Sequence, residues 1–130
     1  NFSSHVRLSI PYYDAGHRLV IKLSDYFIRD FKEEVVSYDL GCSHGELTYH
    51  LAFHHLNIKN VKWVGLDQEA NMIKKSKKNC LKNLEYVFSD ITTYNFSSST
   101  IKFCVVAFGF LLLLVFVFFL SEMLAAATSR

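Results

Sequence analysis

Short apolar strands alternating with helices predict an α/β fold, doubly wound on a parallel sheet. From residue 14 to residue 90 the chain reads helix, strand, helix, strand, helix, strand, the order of right-handed crossover units. Between the first strand and the helix that follows sits a turn with a glycine at each end, GCSHG at 41–45. In such sheets ligands collect beyond the carboxyl ends of the strands, where that turn lies.

Each element has its own signal. Residues 1–13 are expected to be irregular, with Pro11, the only proline, holding Ile10 extended. DAGHRLVIKLSDYFIRDF (14–31) predicts a helix capped by Asp14, with Leu19, Val20, Leu23, Tyr26, Phe27 and Phe31 at three- and four-residue intervals. EVVSYDL (34–40) predicts a buried strand. GELTYHLAFHHL (45–56) predicts a helix with Leu47 and Leu51 inward, joined by Phe53 or His54. VKWVGLD (61–67) is a second strand and EANMIKKSKKNCL (69–81) a helix with its lysines outside. LEYVFSD (84–90) is a third strand, TTYNFSSST (92–100) a polar loop, and KFCVVAF (102–108) a fourth strand.

The 130 residues suit one domain with a real core. They divide into a leading segment and helix (1–33), an α/β core (34–108) and an apolar tail (109–130). A net charge of +2 gives no argument for nucleic acid, and the lysines of 71–83 read as a solvated helix face. Three scattered cysteines, an odd count, argue against a disulfide framework and match no zinc spacing, so a reduced, cytoplasmic domain is expected. The polar N-terminus has no signal-peptide core. The first residue is Asn, which suggests a fragment or a processed piece.

Three acidic groups fall at strand ends: Asp39, Asp67 and Asp90. Asp39 occupies a position an ordinary buried strand would fill with an apolar side chain. A carboxylate buried there needs a partner: loop amides, or a cofactor ammonium. Asp67 ends the second strand, where an acid can accept from both ribose hydroxyls. Asp90 ends the third, where it or the next backbone group faces an adenine edge. Gly41 and Gly45 allow a tight turn. The turn lacks the three-glycine dinucleotide fingerprint, which counts against a nicotinamide-dependent oxidoreductase. A nucleoside cofactor without phosphates fits better, namely S-adenosylmethionine.

YDLGCSHGELTYHLA (38–52) resembles the first motif of class I S-adenosylmethionine-dependent methyltransferases. LSIPYYDAGHRLVIKLSDYF (8–27) sharpens this into a resemblance to the carboxy-S-adenosyl-L-methionine synthase family. Members of that family convert S-adenosylmethionine and prephenate into carboxy-S-adenosylmethionine and phenylpyruvate, in support of wobble-uridine modification of transfer RNA. VGLDQEANMIKKSKKN (64–79) and VFSDI (87–91) resemble the second-strand and adenine segments. The resemblance covers roughly residues 7 to 91 and implies a Rossmann-like methyltransferase fold, truncated after about the fourth strand. It implies Tyr13 over the cofactor, Gly41, Cys42 and Ser43 around its amino acid portion, Asp67 on the ribose with Gln68 beside it, and Asp90 and Ile91 framing the adenine. Tyr12 and Gln68 depart from the family pattern, and the arginine expected to hold a substrate carboxylate has no counterpart. Arg7 and Arg18 read as surface residues. No catalytic residue is assigned: His44 reads as an exposed residue at a helix start. No metal site is expected, because the adjacent His54 and His55 cannot share a helix face.

From Phe103 to Leu120 there is no charge, and IKFCVVAFGFLLLLVFVFFL (101–120) is long and apolar enough for a membrane helix. Three readings stand: a membrane anchor on a non-catalytic methyltransferase remnant, a fourth strand followed by a buried helix, or a truncated product whose end did not evolve with this fold. Activity of the chain as written is expected to be impaired, and its solubility poor.

Overall fold

The computed structural model describes residues 2–96 and 101–106. Two helices, α1 (Phe2–Ser9) and α2 (Tyr13–Ser24), lead into an alternation of β1 (Val35–Leu40), α3 (Glu46–His54), β2 (Val61–Asp67), α4 (Ala70–Ser76) and β3 (Leu84–Phe88), and then β4 (Ile101–Val106). The strands form one parallel sheet in the order β3-β2-β1-β4. The order steps outward from β1 to β3 and then crosses to the far side of β1, so β1 ends at the switch point of a Rossmann-like fold.

Parallel strands are covered on both faces, so they read as continuous apolar runs. Alternation along β2 sends Val61 and Trp63 to one face, against Val20, Ile28, Leu47, Leu51 and Ala52. Val64 and Leu66 go to the other, with Val36, Tyr38, Tyr94 and Phe96. Burying side chains of this size stabilises a fold by about 1.5–3 kcal/mol each, before conformational entropy is subtracted.

The same physics corrects the membrane reading. Ile101 to Val106, the first six residues of the expected 101–120 span, pair in parallel with β1 through Val36↔Ile101, Tyr38↔Cys104, Asp39↔Val105 and Leu40↔Val106. Their apolar character is that of a sheet strand, so 101–120 is not one membrane helix. Among the described residues no helix is long and apolar enough to cross a membrane. Residues 107–120, the rest of that run, and the apolar tail at 109–130 lie outside the described residues.

Two N-terminal expectations also change. Phe2–Ser9 is helical rather than irregular. Asp14 does not cap α2. Tyr12 holds the N-cap position in a left-handed conformation (φ 61°), and Asp14 pairs with Arg7. The helix stops at Ser24, seven residues short of Phe31. Val20, Ser24 and Ile28 turn inward, while Leu19 and Tyr26 are exposed.

Candidate functional site

At the carboxyl ends of β1, β2 and β3 a cleft of about 380 Å³ opens. Clefts of ~300–1,000 Å³ are typical of small-molecule sites. Leu40 ends β1 and Gly41 follows it, Asp67 ends β2 and Gln68 and Glu69 follow it, and Ser89 to Thr92 follow β3. Of the residues expected at a site, Gly41, Asp67, Gln68, Asp90 and Ile91 therefore come together here.

The turn after β1 is built around Asp67. Gly41 and Cys42 both donate their amide hydrogens to the Leu66 carbonyl (2.8 and 2.9 Å). Gly41 (φ 76°), Ser43 (φ 53°) and Gly45 (φ 79°) all lie in the left-handed region, and for Ser43 this is a real steric cost. In that conformation the Ser43 amide donates to Asp67 Oδ2 (2.7 Å). The Glu69 amide donates to Asp67 Oδ1 (2.8 Å). The carboxylate is thereby fixed at the cleft, and each oxygen keeps a lone pair.

Asp39 lies beneath this turn and is buried. It does not cap the loop amides. Its Oδ2 accepts from the Thr48 hydroxyl on α3 (2.5 Å), while Oδ1 has no hydrogen-bond partner. Burial raises its pKa to about 6, against the opposing Thr48 hydrogen bond and with help from the nearby Asp67 charge. Asp90 is turned locally: its Oδ1 accepts from the Thr92 amide (2.8 Å) and hydroxyl (2.7 Å), which hold its pKa below the usual range.

Three expected residues lie behind or beside the cleft. Cys42 is buried against Ile73 and Tyr86, and burial pushes its thiol pKa up. Gly45 faces Tyr86, whose ring sits where a β-carbon would be (2.4 Å) and whose hydroxyl donates to the Gly45 carbonyl (2.8 Å). Tyr13 opens α2, with its ring 4.1 Å from that of His17 and the Arg7 guanidinium 5.7 Å away. Burial, and then the Glu46 charge, raise the Tyr13 pKa to about 12. His44 is not the exposed residue expected: it is largely covered, and its Nε2 lies 3.2 Å from Glu46.

A parallel sheet with its switch point at β1 and an acid-anchored glycine turn narrows the family. The family profile described as a methyltransferase domain matches residues 38–127. The chain belongs to the methyltransferase-domain family. Similar solved structures carry the same fold. The plantazolicin methyltransferase BpumL, in complex with a triazolic desmethylPZN analog and SAH, gives a TM-score of 0.55 at 16% identity, covering 80% of this chain and 39% of that one. Coclaurine N-methyltransferase, bound to N-methylheliamine and SAH, gives 0.51 at 23% identity, covering 69% and 26%. A SAM-dependent methyltransferase from Thiobacillus denitrificans, in complex with S-adenosyl-L-homocysteine, gives 0.50 at 14% identity, covering 68% and 35%. This methyltransferase domain thus spans 26 to 39% of the length of those structures. None of the three bears the name of a carboxy-S-adenosylmethionine synthase. No protein of curated function matches the sequence.

Thr48, Glu69, Ser89 and Thr92 were not anticipated at the site. Thr48 had one legible signal, a hydroxyl on the otherwise apolar inner face of α3.

Proposed function

We propose that this methyltransferase domain binds S-adenosylmethionine in the cleft and that the protein containing it carries out methyl transfer. The observation that carries the reading is Asp67, held at the cleft by the Ser43 and Glu69 amides with acceptor capacity to spare. Such a carboxylate suits the two ribose hydroxyls of an adenosine. Gln68, Asp90 and Ile91 border the same cleft, as adenine contacts would require. The unpartnered Asp39 Oδ1 under the turn suits a cationic amino group. Gly41 lines the cleft with its backbone, and Ser43 contributes its position through Asp67. Any contact from Cys42 or Gly45 comes from the main chain, since Cys42 packs inward and Gly45 faces Tyr86. Tyr13 reaches the ligand only from the α2 side.

S-adenosylmethionine, when bound, supplies a methyl group on a positively charged sulfur, and the protein's part is to bind and align. The carboxyl-transfer variant with prephenate has less support. It needs a cation for the substrate's carboxylates, and Arg7 is already engaged by Asp14 and Glu46.

Calorimetric titration of the chain with S-adenosylmethionine and S-adenosylhomocysteine tests the reading. Both bind, and Asp67→Ala weakens both at least about tenfold, as loss of charge-assisted hydrogen bonds would. A folded chain that binds neither overturns the proposal.

A further inference from the structure

We propose that Asp25, His54 and His55 form a site for a divalent first-row transition metal of the zinc class, where the carboxyl ends of α2 and α3 meet. The sequence argues against it, since neighbouring residues on a helix point apart. The helix, however, ends between them. His54 is the last residue of α3, and His55 has left helical geometry (φ −100°, ψ 20°). The two rings meet edge to face, with centroids 4.7 Å apart. Asp25 caps the carboxyl end of α2 and supplies the third group.

One ligand atom from each residue lies within 4.8 Å of the other two. His54 Nε2 is 2.7 Å and His55 Nε2 3.9 Å from Asp25 Oδ1. Ligands about 2.1 Å from a tetrahedral ion sit roughly 3.4 Å apart, so the His54–Asp25 pair opens slightly and His55 closes in. Both movable groups, Asp25 and His54, are on the surface.

The chemistry of the donor set is right for the class: two imidazoles and one carboxylate, the mixed N/O set that zinc and its neighbours accept. Ligation requires the buried His55 ring in its neutral form, with one ring nitrogen free of hydrogen. The Ser24 hydroxyl donates to the Ile21 carbonyl (2.6 Å), leaving its oxygen to accept from His55 Nε2 (2.7 Å). Coordination through Nε2 moves that single ring hydrogen to Nδ1, and the imidazole stays neutral. Solvent supplies the fourth ligand on the exposed side.

Trp63, the only tryptophan, stacks on the His55 ring at 5.8 Å and 15° and so reports on the site. The test is calorimetry of the full chain with zinc chloride, and Trp63 fluorescence with copper(II) chloride. One zinc binds per chain, and Asp25→Asn and His54→Gln each weaken it at least about tenfold. His50→Gln, on the same helix but outside the site, leaves affinity unchanged. Copper quenches Trp63 in the wild type and not in His54→Gln at the same concentration. No zinc binding at millimolar concentration, or affinity and quenching untouched by both substitutions, overturns the site. Because Asp25 and His54 are exposed, both variants fold, which a thermal melt without metal verifies.

Discussion

The Tyr86 ring occupies the space where a side chain on Gly45 would begin, and its hydroxyl closes the contact by donating to the Gly45 carbonyl at 2.8 Å. The second glycine of the turn is thus a packing device: it lets β3 support the start of α3 from below. Gly45→Ala meets two penalties, a left-handed φ of 79° and a β-carbon 2.4 Å from the ring. The expected loss is about 2–4 kcal/mol of unfolding free energy in urea denaturation. Tyr86→Phe removes only the hydrogen bond and costs about 1 kcal/mol. A Gly45→Ala protein as stable as the wild type would show that Tyr86 has room to move.

Thr48 and Asp39 form the second tie between α3 and the sheet. Thr48→Val keeps the shape and removes the donor, leaving a buried carboxylate with neither oxygen satisfied. At neutral pH, where Asp39 is ionised, the expected cost is about 1–3 kcal/mol. Below pH 6 the carboxyl is protonated and the cost shrinks. Urea midpoints at neutral pH and at pH 4 measure the difference, and equal losses at both would refute the assignment of the hydrogen bond to the charged form.

Strand positions were legible because parallel strands buried on both faces leave continuous apolar runs. VKWVGLD matches β2 residue for residue, and the strand-end acids Asp67 and Asp90 could be placed at the cleft from order alone. The same signal misled at 101–120, where an apolar strand was continuous with an apolar run long enough to look like a membrane helix. Helix ends were harder. α2 stops at Ser24 although Tyr26, Phe27 and Phe31 continue its spacing, because the amides of Asp25, Tyr26 and Phe27 bond back only three residues, to the Lys22, Leu23 and Ser24 carbonyls, and tighten the last turn out of α geometry. Partners distant in sequence left no local mark. Thr48 meets Asp39 across nine residues and Tyr86 meets Gly45 across 41, so neither pair could be read before the fold was known. His54 and His55 converge with Asp25 only because a helix ends between them.

Two buried titrating groups push acid stability in opposite directions. Burial raises Asp39 from 3.8 to about 6, so the folded chain keeps a proton that the unfolded chain has released. Its contribution is complete below pH 3.8 and is lost as pH rises through 6, on the order of 2–3 kcal/mol for a shift of this size. Burial, then the His54 charge, lower His55 from 6.5 to about 4. Its contribution is present above pH 6.5 and is lost as pH falls through 4. Between pH 4 and 6 the slopes oppose and flatten the wild-type profile. Asp39→Asn removes one of them, so its stability should rise with pH across this window. Urea denaturation at several pH values reads the slope directly, and an Asp39→Asn profile parallel to the wild type would sink the account.

Arg7 joins three helices near the turn. Its Nε donates to Asp14 Oδ1 at 2.9 Å, its other nitrogen pairs with Glu46 at the start of α3, and its guanidinium lies over Tyr13. These groups are at the surface, where ion pairs add little to global stability and are screened by salt. Their effect should therefore be local, holding α1 beside the cleft-side end of α3. Arg7→Ala is expected to speed hydrogen exchange at residues 2–9 while β1 and β2 amides keep their protection and the urea midpoint stays in place. High salt should do the same to the wild type in graded fashion. If α1 keeps its protection in Arg7→Ala, apolar contacts rather than Arg7 hold it, and salt should then have no effect on it either.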